Sequence, residues 1–266
     1  MSLLIVTPTL NRSRYLDETI ASVRSCAPDA EHILSAPSNE VENLRARYPE
    51  LRVVADKGRG GGMYGAINAG IEAAESDWEW FTYINDDDVL YPGFANMVKA
   101  HLAKEDPEDF VHGNVDHIDE AGMLLYSIPA CPWTSLFRYL IPSAVSPLSQ
   151  QGMLIKRAAL ERIGLYDQSF KYAADMEFYC RLYVNGGRFA FSRHRVAAFR
   201  ICSQQLSSEV APFEEEKARI RTKYFEQPSR IMCILSKCIF RGYNMPKYLN
   251  RLQRVGFKTS RSMMEN

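Results

Sequence analysis

A chain of 266 residues is long enough to bury a large core, as one α/β domain or as a domain with a helical extension. The 32 basic and 32 acidic residues cancel, so overall charge indicates no class of partner, and no nucleic acid is expected. No stretch approaches the roughly 18 apolar residues that a membrane span needs. The six cysteines are scattered, as in a protein with reduced thiols, which predicts a cytoplasmic location.

Short apolar runs alternate with segments of helical periodicity through the first 102 residues. Strands are predicted at residues 3–6, 32–34, 52–55 and 78–84, and helices at 15–26, 41–48, 63–74 and 94–102. This alternation is typical of a parallel sheet that helices cover on both faces. The loops that follow the strands, at residues 7–12, 35–39, 56–62 and 85–91, should therefore meet in one crevice at the edge of the sheet.

The second half of the chain has a mixed pattern that ends in a basic tail. Further strands are predicted at residues 109–117, 124–127, 153–156 and 189–199, and helices at 157–163, from about 175 to 185, and at 213–225. After Pro228 the tail carries eight Lys or Arg and one acid, Glu265. Its net charge is +7, which leaves −7 on residues 1–227.

Three consecutive aspartates follow Asn85 at the end of the predicted fourth strand. Adjacent ionised carboxylates repel one another, so a cation or a set of hydrogen-bond donors must offset their charge. Taken alone, the triplet is compatible with a divalent-metal site at the carboxyl end of a strand or with a solvated acidic turn.

Four motifs occur in an order and approximate spacing that resemble family 2 inverting glycosyltransferases. They are residues 7–16, residues 62–71, residues 83–88 with Pro92-Gly93, and residues 173–182. The resemblance covers roughly residues 3–207 and is strongest to the bacterial subgroup that builds lipopolysaccharide, capsule and exopolysaccharide. It implies an α/β fold of GT-A type, with a mostly parallel nucleotide-binding sheet flanked by helices and a helical C-terminal extension.

The resemblance also implies a division of the chain and a reaction. Residues 1–227 would form the GT-A domain, with a nucleotide-sugar half at about 1–117 and an acceptor half at 118–227, followed by a basic helical tail at 228–266. The implied reaction moves a sugar, with inversion, from a nucleotide-diphosphate donor, expected to be a UDP-sugar, to a glycan or lipid-linked acceptor. Such an activity would serve bacterial polysaccharide biosynthesis, for example of O-antigen or capsule.

The resemblance places the donor and its metal at the loops after the first and fourth strands. Asp86 and Asp88 would hold Mn²⁺ or Mg²⁺ against the diphosphate, with Asp88 as the first choice for direct contact. The predicted donor-binding residues are Thr7, Pro8, Thr9, Asn11, Arg12, Asp56, Asn68, Asn85, Asp86, Asp87 and Arg200. Without the family, residues 7–12 favour the interpretation as a strand-end loop whose Asn11 or Ser13 caps the next helix.

An inverting transfer is a single displacement at the anomeric carbon and needs one general base for the acceptor hydroxyl. Asp175 matches the position of the base in the family motif, although an aspartate after small residues is also a common helix cap. Gln151 and Glu177 are predicted to contact the acceptor.

Two departures from the family pattern keep other functions open. Residues 35–38 replace the aspartate that commonly recognises the base, and Cys202 stands where many relatives have a histidine. A nucleotide-sugar-binding protein with impaired catalysis is therefore one alternative. The other is a sugar nucleotidyltransferase, which would normally show a glycine-rich basic motif after the first strand that residues 7–12 lack.

The basic tail has two interpretations. Its apolar residues Ile231, Ile234, Leu235, Cys238 and Ile239 are interspersed with lysine and arginine. A basic amphipathic helix can lie on anionic lipid, here the inner membrane, or it can pack on its own domain. The lipid-linked acceptors of the subgroup favour the membrane.

Overall fold

The computed structural model describes residues 3–56, 61–202, 210–226 and 228–257. Within them, nine strands form one sheet: β1 (Leu3–Pro8), β2 (Glu31–Ala36), β3 (Arg52–Ala55), β4 (Trp80–Tyr83), β5 (Val89–Leu90), β6 (Phe110–Ile118), β7 (Leu124–Ser127), β8 (Leu154–Lys156) and β9 (Phe189–Arg200). The sheet order is β3-β2-β1-β4-β8-β6-β9-β5, and β7 pairs with β6.

Helices connect these strands and extend the chain beyond them. They are α1 (Leu16–Cys26), α2 (Val41–Arg47), α3 (Gly62–Glu72), α4 (Pro92–Leu102), α5 (Phe137–Leu140) after a 3-10 turn at Thr134–Leu136, α6 (Arg157–Ile163), α7 (Ala174–Val184), α8 (Val210–Tyr224), α9 (Arg230–Tyr243) and α10 (Met245–Val255). The predicted elements are present, with ends that differ by a few residues.

The amino-terminal half of the sheet is parallel, as the alternation of strands and helices predicted. Strand β1 pairs with β2 on one side and β4 on the other, and β2 pairs with β3. The connections run outward from β1 in opposite directions, so a crevice opens at the carboxyl ends of β1 and β4. The loops 7–12 and 85–91 leave the sheet at this crevice.

Both faces of the parallel half are buried. Alternate side chains of β1 point to opposite faces, so Leu4 and Val6 join one apolar cluster while Leu3 and Ile5 join another. The continuously apolar run at residues 3–6 is therefore explained by helices that cover each face.

The rest of the sheet is mixed. Strand β8 is antiparallel to both of its neighbours, β4 and β6, whereas β9 is parallel to β6 and antiparallel to β5. Because β5 directly follows the three aspartates, its pairing with β9 brings the end of β9 next to them. This contact between distant parts of the chain has no local sequence signal.

Two glycines of the motifs allow close packing of helices on strands. A Cβ on Gly93 would lie 2.1 Å from the carbonyl oxygen of Arg195, and one on Gly70 would lie 2.6 Å from the side chain of Val6. Any larger residue would push α4 away from β9 or α3 away from β1. These glycines thus allow α3 and α4 to pack closely on the sheet.

The carboxyl-terminal extension is helical, as predicted. Phe240 of α9 is buried against the core, and the buried Asn244 between α9 and α10 exchanges hydrogen bonds with the backbone of Ala130. The boundary at residue 228 stays a prediction. Across the described ranges, no helix has the length and apolar character required to cross a bilayer.

Candidate active site

Hydrogen bonds to Asp86 join the loop that follows β1 to the loop that follows β4. The Thr9 hydroxyl donates to Asp86 Oδ2 at 2.5 Å, and the Ser13 hydroxyl donates to the Asp86 carbonyl at 2.7 Å. Asp86 is partly exposed, and burial raises its pKa to about 6. The predicted convergence of these two loops is confirmed, and it leaves a carboxylate in the crevice.

Asp88 occupies a different environment from Asp86. Its side chain is 0% exposed, its Oδ1 accepts from the Arg200 N–H at 2.9 Å, and its Oδ2 accepts from Asn85 and Gln151 at 3.2 and 3.4 Å. Burial and the neighbouring Asp87 raise the pKa of Asp88, and these three hydrogen bonds oppose that shift. The predicted direct contact of Asp88 with a metal stays a prediction. The observed contacts make Asp88 an anchor of the loop.

Arg200 holds the aspartate loop, residues 85–88, in place. Its guanidinium is 1% exposed and donates to the Asp87 carbonyl at 3.0 Å and to the carboxylate of Glu18 at 2.6 Å. It also donates to the carbonyls of residues 119 and 120 and stacks on Tyr15 at 4.2 Å. Arg200 was predicted to bind the donor diphosphate. In this structure its donors hold protein oxygens, and the donor contact remains a proposal.

We expect Arg200→Met to destabilise the fold by about 2–4 kcal/mol, because buried carbonyl oxygens would lose their donors. Chemical denaturation measures this loss. Arg193→Met is the matched control, since Arg193 is exposed on the same strand. Equal stability of the two variants would contradict the anchoring role of Arg200.

The other residues predicted in the first loop differ in exposure. Thr7 and Pro8 are buried in β1, and the Thr7 hydroxyl is 2.9 Å from His32 Nε2. Asn11 has a positive φ of 57° and donates its side-chain amide to Glu40 at 2.8 Å. Thr9 is buried, whereas Asn11 is partly exposed and Arg12 is exposed.

Three further residues predicted to bind the donor, Asp56, Asn68 and Asn85, lie in different structural environments. The Asp56 N–H donates to the Ala36 carbonyl at 2.7 Å, so Asp56 closes the end of β3. Asn68 is buried and exchanges two hydrogen bonds with the backbone of Tyr166. It therefore links α3 to the segment before α7. Asn85 Oδ1 is buried without a hydrogen-bond partner. The glycine-rich loop at residues 57–60 lies outside the described residues.

Asp175 lies in the first turn of α7 and is partly exposed. Its Oδ1 accepts from the Met176 N–H at 2.8 Å and from the Tyr64 hydroxyl at 3.1 Å. Burial raises the pKa of Asp175, and these two hydrogen bonds partly offset the effect. A partly exposed carboxylate with a raised pKa is better suited to accept a proton than an ordinary aspartate.

Aromatic rings connect Asp175 to the strand that precedes the aspartate loop. The ring of Tyr64 lies 5.6 Å from that of Tyr166, which lies 5.6 Å from the ring of Tyr83, the last residue of β4. The motif at residues 62–71 thus supplies the hydroxyl that orients Asp175. No local sequence pattern indicates this role of Tyr64, because its partner lies 111 residues away.

The two predicted acceptor residues point into the protein. Glu177 has a side chain that is 1% exposed, pairs with Arg181 at 3.1 Å and accepts from the Tyr224 hydroxyl. Gln151 donates to Asp88, as described above. Both residues support neighbouring elements, and their contact with an acceptor stays a prediction.

Glu216 is a residue that the sequence did not single out. From α8 its carboxylate accepts the backbone N–H groups of Lys171, Tyr172 and Ala173 at 2.7 to 2.9 Å. Three such bonds fix the segment that leads into α7. Glu216 is therefore a positioning residue for Asp175, and its only sequence signal is an acid in a charged helix.

The two departures from the family pattern lie on either side of the crevice. Ser35 is buried at the end of β2, and its hydroxyl has no hydrogen-bond partner. Cys202 follows β9, and burial raises the pKa of its thiol to about 11, so the thiol is protonated at neutral pH. Residues 203–209 lie outside the described residues.

The donor atoms at the aspartate loop fit a hard divalent cation. Asp86 and Asp87 are partly exposed carboxylates, and the unpaired Asn85 Oδ1 lies in the same loop. Within the described ranges no three His, Cys, Asp or Glu side chains form a metal cluster. Mg²⁺ is commonly bound by one or two carboxylates with substrate phosphates and water, so two carboxylates satisfy its needs.

The fold and the site together define a class of protein: an α/β sheet with carboxylates at the crevice formed by its strand ends and a further carboxylate on α7. The sequence model described as glycosyl transferase family 2 matches residues 4–164, which is more than half of the chain. The chain belongs to glycosyl transferase family 2.

Curated relatives of the chain carry glycosyltransferase names. An uncharacterized glycosyltransferase of Rickettsia prowazekii is 25% identical over 67% of this chain and 58% of its own length. A PGL/p-HBAD biosynthesis glycosyltransferase of Mycobacterium bovis is 23% identical over 73% of this chain and 74% of its own length. The chain thus spans little more than half of the rickettsial relative.

Solved structures show the same fold. S. aureus TarS 1-349 in complex with UDP-GlcNAc has a TM-score of 0.62 at 16% identity, over 95% of this chain and 80% of that chain. A longer TarS structure is covered over 44% of its length. The mannosyltransferase PcManGT from Pyrobaculum calidifontis, in complex with GDP-Man and Mn²⁺, has a TM-score of 0.55 at 14% identity, over 99% of this chain and 78% of that chain. The GT-A fold predicted from the motifs is confirmed.

Proposed function

We propose that this protein transfers a sugar from a nucleotide-diphosphate donor to an acceptor hydroxyl with inversion, and that Asp175 is the general base. The observation that carries the proposal is the environment of Asp175. Its side chain is partly exposed, burial raises its pKa, and the Tyr64 hydroxyl orients it. A carboxylate that only capped its helix would need no donor from α3. Family membership supports the reaction class.

The proposed donor is a UDP-sugar bound in the crevice between loops 7–12 and 85–88. The complex of TarS with UDP-GlcNAc supports this choice, whereas the complex of PcManGT with GDP-Man shows that the fold also accommodates another nucleotide. Thr9, Asn11 and Arg12 would contact the nucleotide. Asp86 and Asp87 would hold Mn²⁺ or Mg²⁺, which when bound supplies positive charge to the departing diphosphate.

The residues of this chain account for the proton transfer and for the orientation of the base. As the acceptor oxygen forms its bond to the anomeric carbon, Asp175 takes the proton from that oxygen and the bond to the diphosphate oxygen breaks. Tyr64 and the Met176 N–H hold Oδ1, so Oδ2 is the oxygen left to face the acceptor. Only one carboxylate is needed, because a single displacement forms no covalent intermediate.

The acceptor and the pathway are proposed from the family resemblance. A glycan or lipid-linked acceptor in bacterial surface-polysaccharide assembly agrees with the motifs, and the mycobacterial relative is named for biosynthesis of PGL/p-HBAD. Such a reaction would take place in the cytoplasm or at the inner membrane.

A nucleotide-release assay tests the proposal. UDP-, GDP- and dTDP-sugars are incubated with the protein and a membrane extract, with Mn²⁺ or with a chelator. We expect release of UDP that depends on both the metal and the extract. Nucleotide binding without turnover on any extract would identify a binding protein, and formation of a nucleoside triphosphate when pyrophosphate is added would identify a sugar nucleotidyltransferase.

We expect Tyr64→Phe to move the acidic limb of the pH–rate profile to higher pH. The Tyr64 hydroxyl stabilises the ionised form of Asp175, so its removal raises the pKa of the base and lowers the ionised fraction at a given acidic pH. The maximal rate should fall about tenfold, as for other residues that orient a functional group.

The matched control is Tyr48→Phe, which removes another hydrogen bond from a tyrosine to an aspartate, 2.6 Å long, away from the crevice. Its pH–rate profile should equal that of the wild type. An unshifted acidic limb in Tyr64→Phe would separate Tyr64 from the base.

A further inference from the structure

Helix α10 packs on the sheet with its polar side inward. Lys247 donates to Asn114 Oδ1 at 2.6 Å and to the Ile128 carbonyl at 3.1 Å, and Arg254 donates to the Leu124 carbonyl at 3.3 Å. Arg251 lies over the Tyr126 ring at 4.4 Å. Burial lowers the pKa of Lys247 to about 8, so this lysine is held in a partly desolvated position.

The apolar side of α10 consequently faces solvent. Met245, Leu249 and Leu252 recur at helical spacing on one side, each is exposed, and Leu249 is 52% exposed. No residue of α10 is buried. A surface helix normally buries its apolar side against its own domain, so this orientation indicates that something outside the domain covers it.

Helix α9 also leaves an apolar row exposed. Its buried positions are Ser236 and Phe240, whereas Ile231, Leu235 and Ile239 form an exposed row four residues apart, with Ile231 70% exposed. The exposed pair Trp133 and Tyr243 packs edge to face at 5.0 Å at the end of α9. Such aromatic side chains are favoured where an apolar region meets water.

The basic charge of α9 and α10 indicates which kind of partner covers their exposed apolar sides. Residues 228–264 contain eight Lys or Arg and no acid. On α9, Arg230, Lys237 and Arg241 are spaced by seven and four residues and so flank the apolar row on one side. A second copy of the chain would bring two such basic segments together, which like-charge repulsion opposes. Apolar rows edged by basic residues match the interface of a bilayer that carries anionic lipid.

We infer that α9 and α10 dock the protein on an anionic phospholipid bilayer. The lipid-facing surface consists of Ile231, Leu235, Ile239, Met245, Leu249 and Leu252. The helices lie in the plane of the interface, with the apolar rows among the acyl chains and the basic side chains at the head groups. This surface is separate from the crevice, so docking does not depend on the proposed reaction.

Vesicle sedimentation of the full chain tests the inference. The wild type should sediment with phosphatidylcholine vesicles that contain phosphatidylglycerol and bind pure phosphatidylcholine more weakly. Replacement of Leu235, Ile239, Leu249 and Leu252 by serine should lower the affinity at least ~100-fold, because each side chain would otherwise enter the apolar region. Arg230→Gln with Arg241→Gln should lower it about tenfold or more and reduce its salt dependence.

The control replaces Met123 and Val184 by serine, since both are exposed apolar residues outside α9 and α10. This variant should bind vesicles like the wild type. Thermal melts and nucleotide binding should be equal in all variants, so a loss of lipid binding is separated from misfolding and from failure of the proposed reaction.

Three results would overturn the inference. The wild type could stay in the supernatant with anionic vesicles, or the four serine substitutions could leave sedimentation unchanged. Light scattering could also show a dimer that these substitutions dissociate, with no lipid binding, and the surface would then be an interface between two copies.

Discussion

Asp175→Asn should abolish most sugar transfer while the donor still binds. The amide keeps the shape of the side chain and can still accept the Tyr64 hydroxyl, but it has no carboxylate to take a proton. A general base contributes ~10²–10⁴-fold to a rate, and we expect a loss within that range. Transfer rates and calorimetric donor affinity should be measured on the same preparation.

Asp29→Asn is the control for this substitution, because Asp29 is an exposed aspartate in the turn before β2. It should transfer at the wild-type rate. Full activity of Asp175→Asn would remove Asp175 as the base. A parallel loss of donor binding would instead indicate that Asp175 shapes the crevice.

Asp86→Asn should remove the stimulation of transfer by Mn²⁺ or Mg²⁺ and lower the rate by roughly 10²–10³-fold. Asp86 is a partly exposed carboxylate that already accepts the Thr9 hydroxyl, and an asparagine at this position keeps an acceptor oxygen for Thr9 while it loses the charge that attracts a cation. Metal titrations of the transfer rate and of donor binding measure the change.

Asp88→Asn provides the contrast with Asp86→Asn. Asp88 accepts donors on both oxygens, and an asparagine can accept on only one of them, so at least one donor would face an NH₂ group. We expect a loss of stability of about 1–3 kcal/mol for Asp88→Asn and almost none for Asp86→Asn. If instead Asp88→Asn folds normally and loses metal stimulation, Asp88 is the ligand that the family motif suggested.

Local sequence patterns were sufficient for the elements and for the meeting of two loops. The apolar run at residues 3–6 predicted a strand buried on both faces, and strand–helix alternation predicted that residues 7–12 and 85–91 share an edge. The first is confirmed by the apolar clusters on the two faces of β1, and the second by the parallel pairing of β1 with β4 and the Thr9–Asp86 hydrogen bond. These features depend on periodicity and chain direction, which are local properties of a sequence.

Aspartates that look alike in the sequence lie in different environments within the triplet at residues 86–88. Asp86 and Asp88 are the same residue type two positions apart, yet one faces the crevice and the other is buried under Arg200 and Gln151. The difference arises because β9 and the segment before β8 reach the loop from more than 60 residues away. No periodicity in residues 85–88 carries that information.

The sequence by itself determined the α/β alternation, the ordered motifs of glycosyl transferase family 2 and the basic character of the tail. Each of these features depends only on residues that are close together in the chain. Only the tertiary structure decided that Tyr64 and Glu216 position Asp175, that Arg200 holds the aspartate loop, and that α10 turns its apolar side outward. These are contacts between distant segments, and burial and hydrogen-bond partners become fixed only when the strands and helices pack.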